Sequence, residues 1–338
     1  MTATNRQFRL KERPSGRVGR HNFDLVEEPV PEIDEGEALV RNCWISLDPT
    51  NRVWMTDAPG YLPPVAIGEV MRGIGVGQVV ASRNDAYPEG SFVTGLTGWQ
   101  DYVVTGGSFP LQRVPDGLPA PPSAMLGVLG ITGLTAYFGL KDIGKPQPGE
   151  TVLVSAAAGA VGSVAGQIAK IHGARTVGIA GGPEKCAWIV DEVGYDAAVD
   201  YKAADWREQL AKATPDGIDV NFENVGGKIM EAVIARLNLR ARMPLCGLIS
   251  SYNDSEPPPG PRSFGTLLVQ RVNLQGFIID YYSRFEEGTA QLAQWLAEGR
   301  LTNRETVVEG FETLPDTLNM LFDGGNTGKL VVKVVDPA

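Results

Sequence analysis

The sequence predicts an α/β protein with two domains, a β-rich domain and a doubly wound parallel sheet of six strands. Three observations lead to this fold class. The chain has 338 residues, which is too long for one ordinary core. Short strand-like runs separated by Gly, Pro and Asp occupy residues 1–127. Beyond residue 150, strand-like and helical runs alternate, as they do in parallel sheets whose strands are joined by helices.

The composition is that of a soluble globular protein, with 43% hydrophobic and 21% charged residues. The net charge of −10 argues against nucleic acid or an anionic membrane as the main partner. No apolar run approaches the roughly 18 to 20 residues that span a bilayer. The first 16 residues lack the apolar region of a secretory signal, so we expect none there.

Cysteine and histidine usage favours a reducing compartment without metal chemistry. The three cysteines, Cys43, Cys186 and Cys246, are scattered, which predicts no disulfide framework and favours the cytoplasm. The two histidines, His21 and His172, lie at no metal-ligand spacing from a cysteine or from each other. We therefore expect no metal site.

The first domain is predicted from short strands and two irregular loops. Its strand-like runs are 17–28, 37–45, 77–82, 91–95 and 101–105. The loop at 46–52 (SLDPTNR) leaves a strand through Asp-Pro, and the loop at 60–64 (GYLPP) combines an aromatic residue with prolines.

The second domain is predicted from alternating periodicities. A helix over 125–139 and a Pro/Gly turn at 142–150 precede it. The six strands of the sheet are predicted at 152–154, 176–180, 197–200, 219–223, 244–249 and 274–279. Helices are predicted at 184–193, 205–213, 228–237, 263–270 and 288–297. The last strand-like runs, 306–311 and 329–335, lie beyond a completed sheet and are expected to rejoin the first domain. The predicted domains are 1–127 with 306–338, and 128–305.

The stretch 151–171 (TVLVSAAAGAVGSVAGQIAKI) predicts a strand, a turn of small residues and a helix. This is the pattern of a dinucleotide site, because the turn lets backbone approach a pyrophosphate and the helix start offers unpaired N–H groups. The usual motif is G-x-G-x-x-G, and Ala157 stands in the first glycine position. The six-strand context strengthens the weak motif.

The second strand of such a unit indicates which nicotinamide cofactor binds. An acidic residue at its end would bind the ribose hydroxyls of NAD, but the strand TVGIA is followed by Gly181 and Gly182. Lys185 at the start of the next helix supplies the charge that a 2′-phosphate needs, and Tyr201 adds a hydroxyl. We therefore predict NADP(H).

The ordered motifs resemble a known family. SAAAGAVGSVAGQIAK, GGPEK, DYK, FENVGG, CGLISSYN and GGNTGK follow the order and spacing of the zinc-independent medium-chain dehydrogenase/reductases, and SLDPTNR, GYLPP and GWQDYVV extend the likeness over essentially the whole chain. The most similar branch is the group of prostaglandin reductases and 2-alkenal double-bond reductases. The resemblance implies a GroES-like catalytic domain with a Rossmann domain inserted before its last strands, NADPH, and a homodimer. It also implies reduction of the C=C bond of an α,β-unsaturated ketone or aldehyde without metal.

The resemblance also implies which residues bind the cofactor. Carried over position by position, they are Ala158, Gly159, Ala160, Val161, Gly162, Lys185, Tyr201, Asn224, Cys246, Gly247, Ile249, Ser250, Tyr252, Phe277, Ile278, Ile279 and Asn326. Alcohol dehydrogenase relatives hold zinc with Cys and His, but Cys43 has no histidine in a Gly-His-Glu motif. Catalysis is therefore expected to polarise the substrate carbonyl without a metal.

Tyr252 is the candidate catalytic residue. Hydride transfer to the β-carbon of an enone places negative charge on the carbonyl oxygen, which needs a hydrogen-bond donor. The resemblance implies that a cofactor ribose hydroxyl and a tyrosine hydroxyl supply it, and Tyr252 matches that tyrosine. A tyrosine hydroxyl can donate because it stays protonated at neutral pH. The alternative is that Tyr252 only covers the cofactor.

The candidate substrate pocket departs from the family. Thr50 and Asn51 replace the common Tyr-Met pair, which predicts a roomier, more polar pocket, and Tyr61 and Trp99 are candidate walls. The proline-rich loop at 257–261 is a candidate lid.

Two other functions remain open at this point. One is an NADPH quinone oxidoreductase of the same superfamily, although the CGLISSYN and FENVGG segments favour the alkenal reductase branch. The other is a non-enzymatic NADPH-binding protein, because a fold does not determine its function.

Overall fold

The structure is a computed structural model that describes residues 4–58, 60–107, 109–256, 258–279 and 282–338. The chain forms two compact units. The first comprises Met1–Leu126, Glu305–Asn326 and Leu330–Ala338, and the second comprises Gly127–Arg304 and Thr327–Lys329.

The N-terminal part of the chain is mostly strands. The bounds are β1 Thr4–Leu10, β2 Phe23–Pro29, β3 Ala38–Ser46, α1 Pro49–Trp54, β4 Ile74–Ser82, β5 Phe92–Leu96, β6 Tyr102–Val104 and β7 Gln112–Arg113, with 3₁₀ turns at Arg20–Asn22 and Pro122–Leu126. A strand was predicted over 17–28, but β2 begins only at Phe23 because the preceding residues form the 3₁₀ turn.

The rest of the chain alternates. Its elements are α2 Ile131–Phe138, a π-helical segment Gly139–Gly144, β8 Thr151–Ser155, α3 Ala160–Ile171, β9 Arg175–Ala180, α4 Pro183–Asp191, β10 Ala197–Asp200, α5 Trp206–Ala213, β11 Ile218–Phe222, α6 Gly227–Ile234, β12 Leu237–Leu245, α7 Phe264–Val269, β13 Asn273–Gly276, α8 Phe285–Ala297, β14 Glu305–Glu309, α9 Leu314–Thr317, α10 Met320–Asp323 and β15 Lys329–Lys333, with 3₁₀ turns at Ile249–Ser251, Tyr282–Arg284 and Phe311–Thr313.

The first unit contains an antiparallel pair and a larger sheet. β1 pairs with β2, and a seven-stranded sheet has the order β14-β15-β3-β4-β5-β7 with β6 paired to β3. Late strand β15 runs antiparallel beside β3, so the C-terminal strands rejoin the sheet of the N-terminal part. An aromatic core that includes Phe8, Trp99 and Phe311 lies in this unit and is fully or almost fully buried.

The second unit is built on a parallel sheet with the order β10-β9-β8-β11-β12-β13. The order reverses between β8 and β11, so the carboxyl ends of these two strands flank the topological switch point at which open α/β sheets bind ligands. The strands bury apolar residues such as Leu153, Val177 and Val199 beneath the helices. The predicted fold class, a β-rich part with a six-stranded doubly wound sheet, is confirmed.

Two predicted helices have different bounds. The helix predicted over 125–139 begins only at Ile131, because Gly127 and Gly130 belong to a turn in which Gly127 O accepts from Gly130 N at 3.1 Å. The helix predicted over 228–237 ends at Ile234, since Leu237 is already the first residue of β12.

Candidate active site

The glycine-rich turn is formed between β8 and α3. Gly159, in extended conformation, precedes the first residue of the 12-residue helix α3, so the first N–H groups of that helix have no partner within it. Gly162 lies in the first turn, and a Cβ there would lie 2.3 Å from the carbonyl oxygen of Ala156. Glycine at 162 therefore permits close packing of helix on strand, which is the role of the last glycine in dinucleotide motifs.

Ala157 in the first glycine position is accommodated by a glycine on the neighbouring strand. Ala157 is fully buried, and its N–H donates to Ile179 O at 3.0 Å. A Cβ at Gly178 would lie 2.7 Å from the Ala157 methyl. The missing glycine of the turn is thus matched by a glycine in β9, and the turn stays close to the sheet.

The turn is also tied to a segment near the C-terminus. Gly328 N donates to Ala158 O at 2.8 Å, and Gly159 and Gly328 form a parallel bridge. Gly328 has a φ of +68°, which favours glycine. Asn326, predicted to contact the cofactor, is buried in the first unit. Ala160 and Val161 form the start of α3, as predicted.

The adenosine end is predicted from residues after β9 and β10. A Cβ at Gly181 would lie 2.8 Å from the Tyr201 ring, so the glycine permits that ring to pack on the turn. Gly182 N donates to Asp200 Oδ1 at 2.7 Å, and Lys202 N donates to the same oxygen at 3.0 Å. Backbone donors therefore occupy Oδ1 of Asp200.

Two lysines come together at this end. Burial lowers the pKa of the half-buried Lys185, and the positive charge of Lys202 lowers that pKa further. In the described ranges neither lysine has a carboxylate partner. Lys202 was not selected from the sequence, although it follows Tyr201 directly in the DYK motif. This arrangement offers two cations to an anionic group.

At the switch point, Asn224 is held by the end of β8. Asn224 N donates to Ser155 Oγ at 2.8 Å, and Asn224 Nδ2 donates to Ser155 O at 2.7 Å. Ser155 Oγ in turn donates to Glu223 Oε1 at 3.0 Å. Ser155 and Glu223 are fully buried, and neither was selected from the sequence. No periodicity or motif distinguishes a strand-end serine and glutamate from ordinary core positions.

The segment after β12 runs along residues 223–225. Cys246 N and Gly247 N donate to Glu223 O at 2.9 and 3.2 Å. Ile249 N donates to Asn224 O at 3.2 Å. Ser250 N donates to Val225 O at 3.0 Å. The structure thus brings together four predicted residues of the 246–252 segment and Asn224.

Tyr252 folds back onto this segment. Its Oη accepts a hydrogen bond from Leu248 N at 3.1 Å, and a Cβ at Gly247 would lie 3.3 Å from it. Burial raises the pKa of Tyr252 above its ordinary value of 10.0. Within the described part of the chain nothing accepts the phenolic proton. The hydroxyl therefore stays protonated at neutral pH and can donate a hydrogen bond.

The thiol of Cys246, at the start of this segment, stays protonated at neutral pH and is therefore not a nucleophile there. Burial raises the pKa of Cys246 to about 12, and the Glu223 carboxylate adds to the rise. A low pKa is what makes a cysteine reactive.

The remaining predicted cofactor residues follow β13. Phe277 N donates to Leu245 O at 3.4 Å, and its ring lies edge-on to Phe222 with centroids 6.2 Å apart. Ile279 is half-buried and Ile278 is 47% exposed.

Of the predicted substrate residues, Thr50 and Tyr61 come together in the first unit. Thr50 Oγ1 and Tyr61 Oη are hydrogen bonded, and Tyr61 is 48% exposed. Tyr61 also lies edge-on to Trp54, with ring centroids 6.5 Å apart. These two hydroxyls remain candidates for a polar pocket wall.

Asn51 and Trp99, the other two residues predicted to line the pocket, are buried. Asn51 is 1% exposed; its Oδ1 accepts from Asp48 N at 2.8 Å, and its Nδ2 donates to Arg72 O at 3.0 Å. It forms a capping box at the start of α1, so its polar atoms are used by the backbone. Trp99 is fully buried in the aromatic core, 5.3 Å from Phe23 between ring centroids.

Three other expectations concern the candidate lid, a metal site and a membrane-spanning helix. Pro257 of the candidate lid lies outside the described residues. Among the described residues, no group of three or more His, Cys, Asp or Glu side chains is arranged to hold a metal ion. No helix in the described ranges is long and apolar enough to cross a membrane.

Comparisons with known proteins agree with this architecture. Residues 6–112 match the family model described as the N-terminal domain of oxidoreductase, and residues 160–295 match the model described as zinc-binding dehydrogenase. The NADPH-dependent curcumin reductase of Escherichia coli (strain K12) is 47% identical over 336 residues, which cover 98% of this chain and 97% of that protein. Prostaglandin reductase 1 of Rattus norvegicus is 39% identical over 330 residues, covering 96% and 97%.

Solved structures are equally similar. CurA from Vibrio vulnificus in complex with NADPH has a TM-score of 0.93 and 47% identity, covering 98% of this chain and 100% of that chain. The predicted family is confirmed by these matches. The chain belongs to the medium-chain dehydrogenase/reductase family, in its zinc-independent group.

Proposed function

We propose that this protein uses NADPH to reduce the C=C bond of α,β-unsaturated ketones and aldehydes by hydride transfer to the β-carbon, without a metal. The observation that supports this chemistry is the half-buried hydroxyl of Tyr252, whose oxygen accepts a hydrogen bond from Leu248 N and whose proton is available to donate. The related curcumin reductase is named as NADPH-dependent, and a related solved structure holds NADPH.

The glycine-rich turn fits the pyrophosphate of NADPH. Backbone at Ala158 and Gly159 leads into α3, whose first N–H groups and positive dipole end favour an anion. Close packing at Gly162 keeps the helix start beside the strand end, where a Cβ would collide with Ala156 O. We assign Ala160 and Val161 to the same contact with the pyrophosphate.

The two lysines fit the 2′-phosphate that distinguishes NADPH from NADH. Lys185 is half-buried beside Lys202 without a carboxylate partner, so bringing a dianionic phosphate between them relieves their mutual repulsion. Tyr201, packed on Gly181, adds a hydroxyl donor.

The nicotinamide half is assigned to the switch point and the loops after it. Asn224, the segment from Cys246 to Tyr252, residues 277–279 and Asn326 would hold it, as the family resemblance implies. When bound there, NADPH supplies the hydride.

The role of Tyr252 is to stabilise the developing enolate. The Leu248 N–H donates to its oxygen and fixes the phenol, so the phenolic proton is directed to another acceptor. A preorganised donor aimed at a developing oxyanion lowers the barrier more than one that must reorient. The raised pKa keeps the donor protonated at neutral pH.

The substrate end is assigned to Thr50 and Tyr61. Their hydrogen-bonded hydroxyls present a polar surface beside the position where Thr50 and Asn51 replace the family's Tyr-Met pair. We propose that they contact an oxygenated group of the substrate.

The activity is tested with a panel of enals, aryl enones and quinones. NADPH absorbance is followed for each compound, and the products are identified. Saturated aldehydes formed from the enals, or saturated ketones formed from the enones, support the proposal. Turnover confined to quinones indicates the quinone oxidoreductase alternative, and tight NADPH binding without any turnover indicates a non-enzymatic protein.

We also propose a cytoplasmic homodimer that pairs through the edge of the parallel sheet. β13 is the edge strand, and all four of its residues are exposed. Leu268 and Val269 of α7 are 80% and 72% exposed, and Phe264 is 58% exposed. An unpaired edge next to exposed apolar side chains favours association with a second copy. The location rests on three free cysteines.

The Leu268→Glu variant is expected to be monomeric, because the new carboxylate would have to be desolvated in the interface. Light scattering after size exclusion measures the mass of wild type and variant. Ile67→Glu, which changes a residue 55% exposed in the first unit, is the matched control and should remain dimeric. A wild type that elutes with the mass of one chain contradicts the homodimer.

A further inference from the structure

Glu223 is a buried carboxylate at the switch point of the sheet. It follows the last residue of β11, and its neighbour across the switch, Ser155, is the last residue of β8. Both side chains are fully buried. The assigned function uses Asn224, the next residue, but leaves the carboxylate without a chemical role.

Only neutral groups donate to this carboxylate. Oε1 accepts from Ser155 Oγ at 3.0 Å and from the backbone N–H groups of Val225 and Gly226, both at 2.8 Å. Oε2 accepts from Asn221 Nδ2 at 2.9 Å. In the described ranges no Lys, Arg or His forms an ion pair with Glu223. All four of these donors are neutral, so the hydrogen bonds supply no counter-cation to the carboxylate.

The field of this charge reaches the loop assigned to the nicotinamide. The carboxylate contributes to the raised pKa of the Cys246 thiol, and the backbone carbonyl of Glu223 accepts hydrogen bonds from Cys246 and Gly247. Through Ser155 the carboxylate also fixes Asn224. The negative charge and the nicotinamide-binding segments are therefore parts of one hydrogen-bonded unit.

We propose that the Glu223 carboxylate is a fixed negative charge at the nicotinamide end of the site that favours NADP⁺ over NADPH and thereby promotes hydride donation. This inference rests on the proposed function. The nicotinamide ring is neutral before it gives up hydride and positive afterwards. A preorganised negative charge in a water-poor site stabilises the positive ring and has little effect on the neutral one.

Glu223→Gln removes the charge and keeps the shape. The new amide oxygen can accept the three hydrogen bonds that Oε1 now accepts. The new amide nitrogen then faces Asn221, whose Oδ1 is buried without a partner and can turn to accept from it. The variant therefore isolates charge from packing.

The dissociation constants of NADP⁺ and NADPH measure the effect without turnover. In Glu223→Gln the Kd for NADP⁺ is expected to rise on the order of tenfold relative to the Kd for NADPH, as one lost charge in a site of intermediate dielectric predicts. NADPH fluorescence gives one Kd, and competition by NADP⁺ gives the other.

Two variants serve as controls. Ser155→Ala removes a neutral donor and keeps the charge, so it should leave the ratio of the two constants unchanged. The double variant N221D/E223Q exchanges the amide and the carboxylate within the same pair, so it should restore the wild-type ratio.

An unchanged ratio in Glu223→Gln overturns the proposal and identifies the carboxylate as a purely structural cap of the 225–226 turn. If that variant does not fold, Glu223→Asn is measured in its place, because it also replaces the carboxylate with an uncharged amide, and an unchanged ratio in that variant overturns the proposal. A wild type that binds no NADPH contradicts the proposed function itself, whereas an unchanged ratio with normal enone reduction contradicts only the role of Glu223.

Discussion

Lys185→Met is expected to raise the KM for NADPH by roughly 10- to 150-fold, which corresponds to the loss of one charge-assisted hydrogen bond of about 1.5–3 kcal/mol. The KM for NADH should change little, because NADH has no 2′-phosphate. Steady-state kinetics with both cofactors and one enone measure the two effects. A combined Lys185→Met and Lys202→Met variant should lose the preference for NADPH altogether.

The pH dependence checks the same assignment. Lys185 binds the phosphate in its charged form, and burial and Lys202 lower its pKa from the ordinary 10.5. The preference for NADPH over NADH should therefore decline as the pH rises through this lowered pKa. Lys212→Met, at an exposed position of α5, is the matched control. An equal rise in KM for both cofactors in Lys185→Met would show that the residue supports the fold rather than the phosphate.

Tyr252→Phe is expected to lower kcat on the order of 100-fold, the size seen when one oxyanion donor is removed. The ring that covers the cofactor site remains, so the Kd for NADPH should stay within about twofold of wild type, as little binding depends on that one hydroxyl. Single-turnover rates of NADPH oxidation with a saturating enone isolate the chemical step.

Tyr87→Phe is the control for this substitution, because Tyr87 Oη donates to Leu111 O in the first unit and has no assigned role in the reaction. An unchanged kcat in Tyr252→Phe would favour the alternative in which Tyr252 only covers the cofactor.

The parallel sheet was predictable because its signals are local. Alternating strand and helix periodicities, and an acid-free second strand, can be read along the chain. The first slot of the glycine motif was harder to interpret from sequence. Ala157 looks like a departure from the motif until β9 is placed beside it, where Gly178 makes room for the methyl. That compensation spans two strands and has no local signature.

Side-chain roles that depend on three-dimensional neighbours were less predictable. Asn51 lies in a motif associated with substrate binding, yet its amide caps α1. Trp99 follows a loop but packs in the aromatic core. The role proposed for Lys202 depends on its proximity to Lys185. The role proposed for Glu223 depends on its position at the switch point of the sheet. The proposed assignment of 1–127 with 306–338 to catalysis, and of 128–305 to the cofactor, stays a prediction.

The carbon that receives the hydride distinguishes reduction of the C=C bond from reduction of the carbonyl group. The protein is supplied with NADPH deuterated at C4 on the transferred face and with an α,β-unsaturated ketone, and the product is examined by NMR. If the protein reduces the C=C bond as proposed, the product is a saturated ketone with one deuterium on the β-carbon and a solvent-derived hydrogen on the α-carbon. Deuterium on the carbonyl carbon of an allylic alcohol would contradict it.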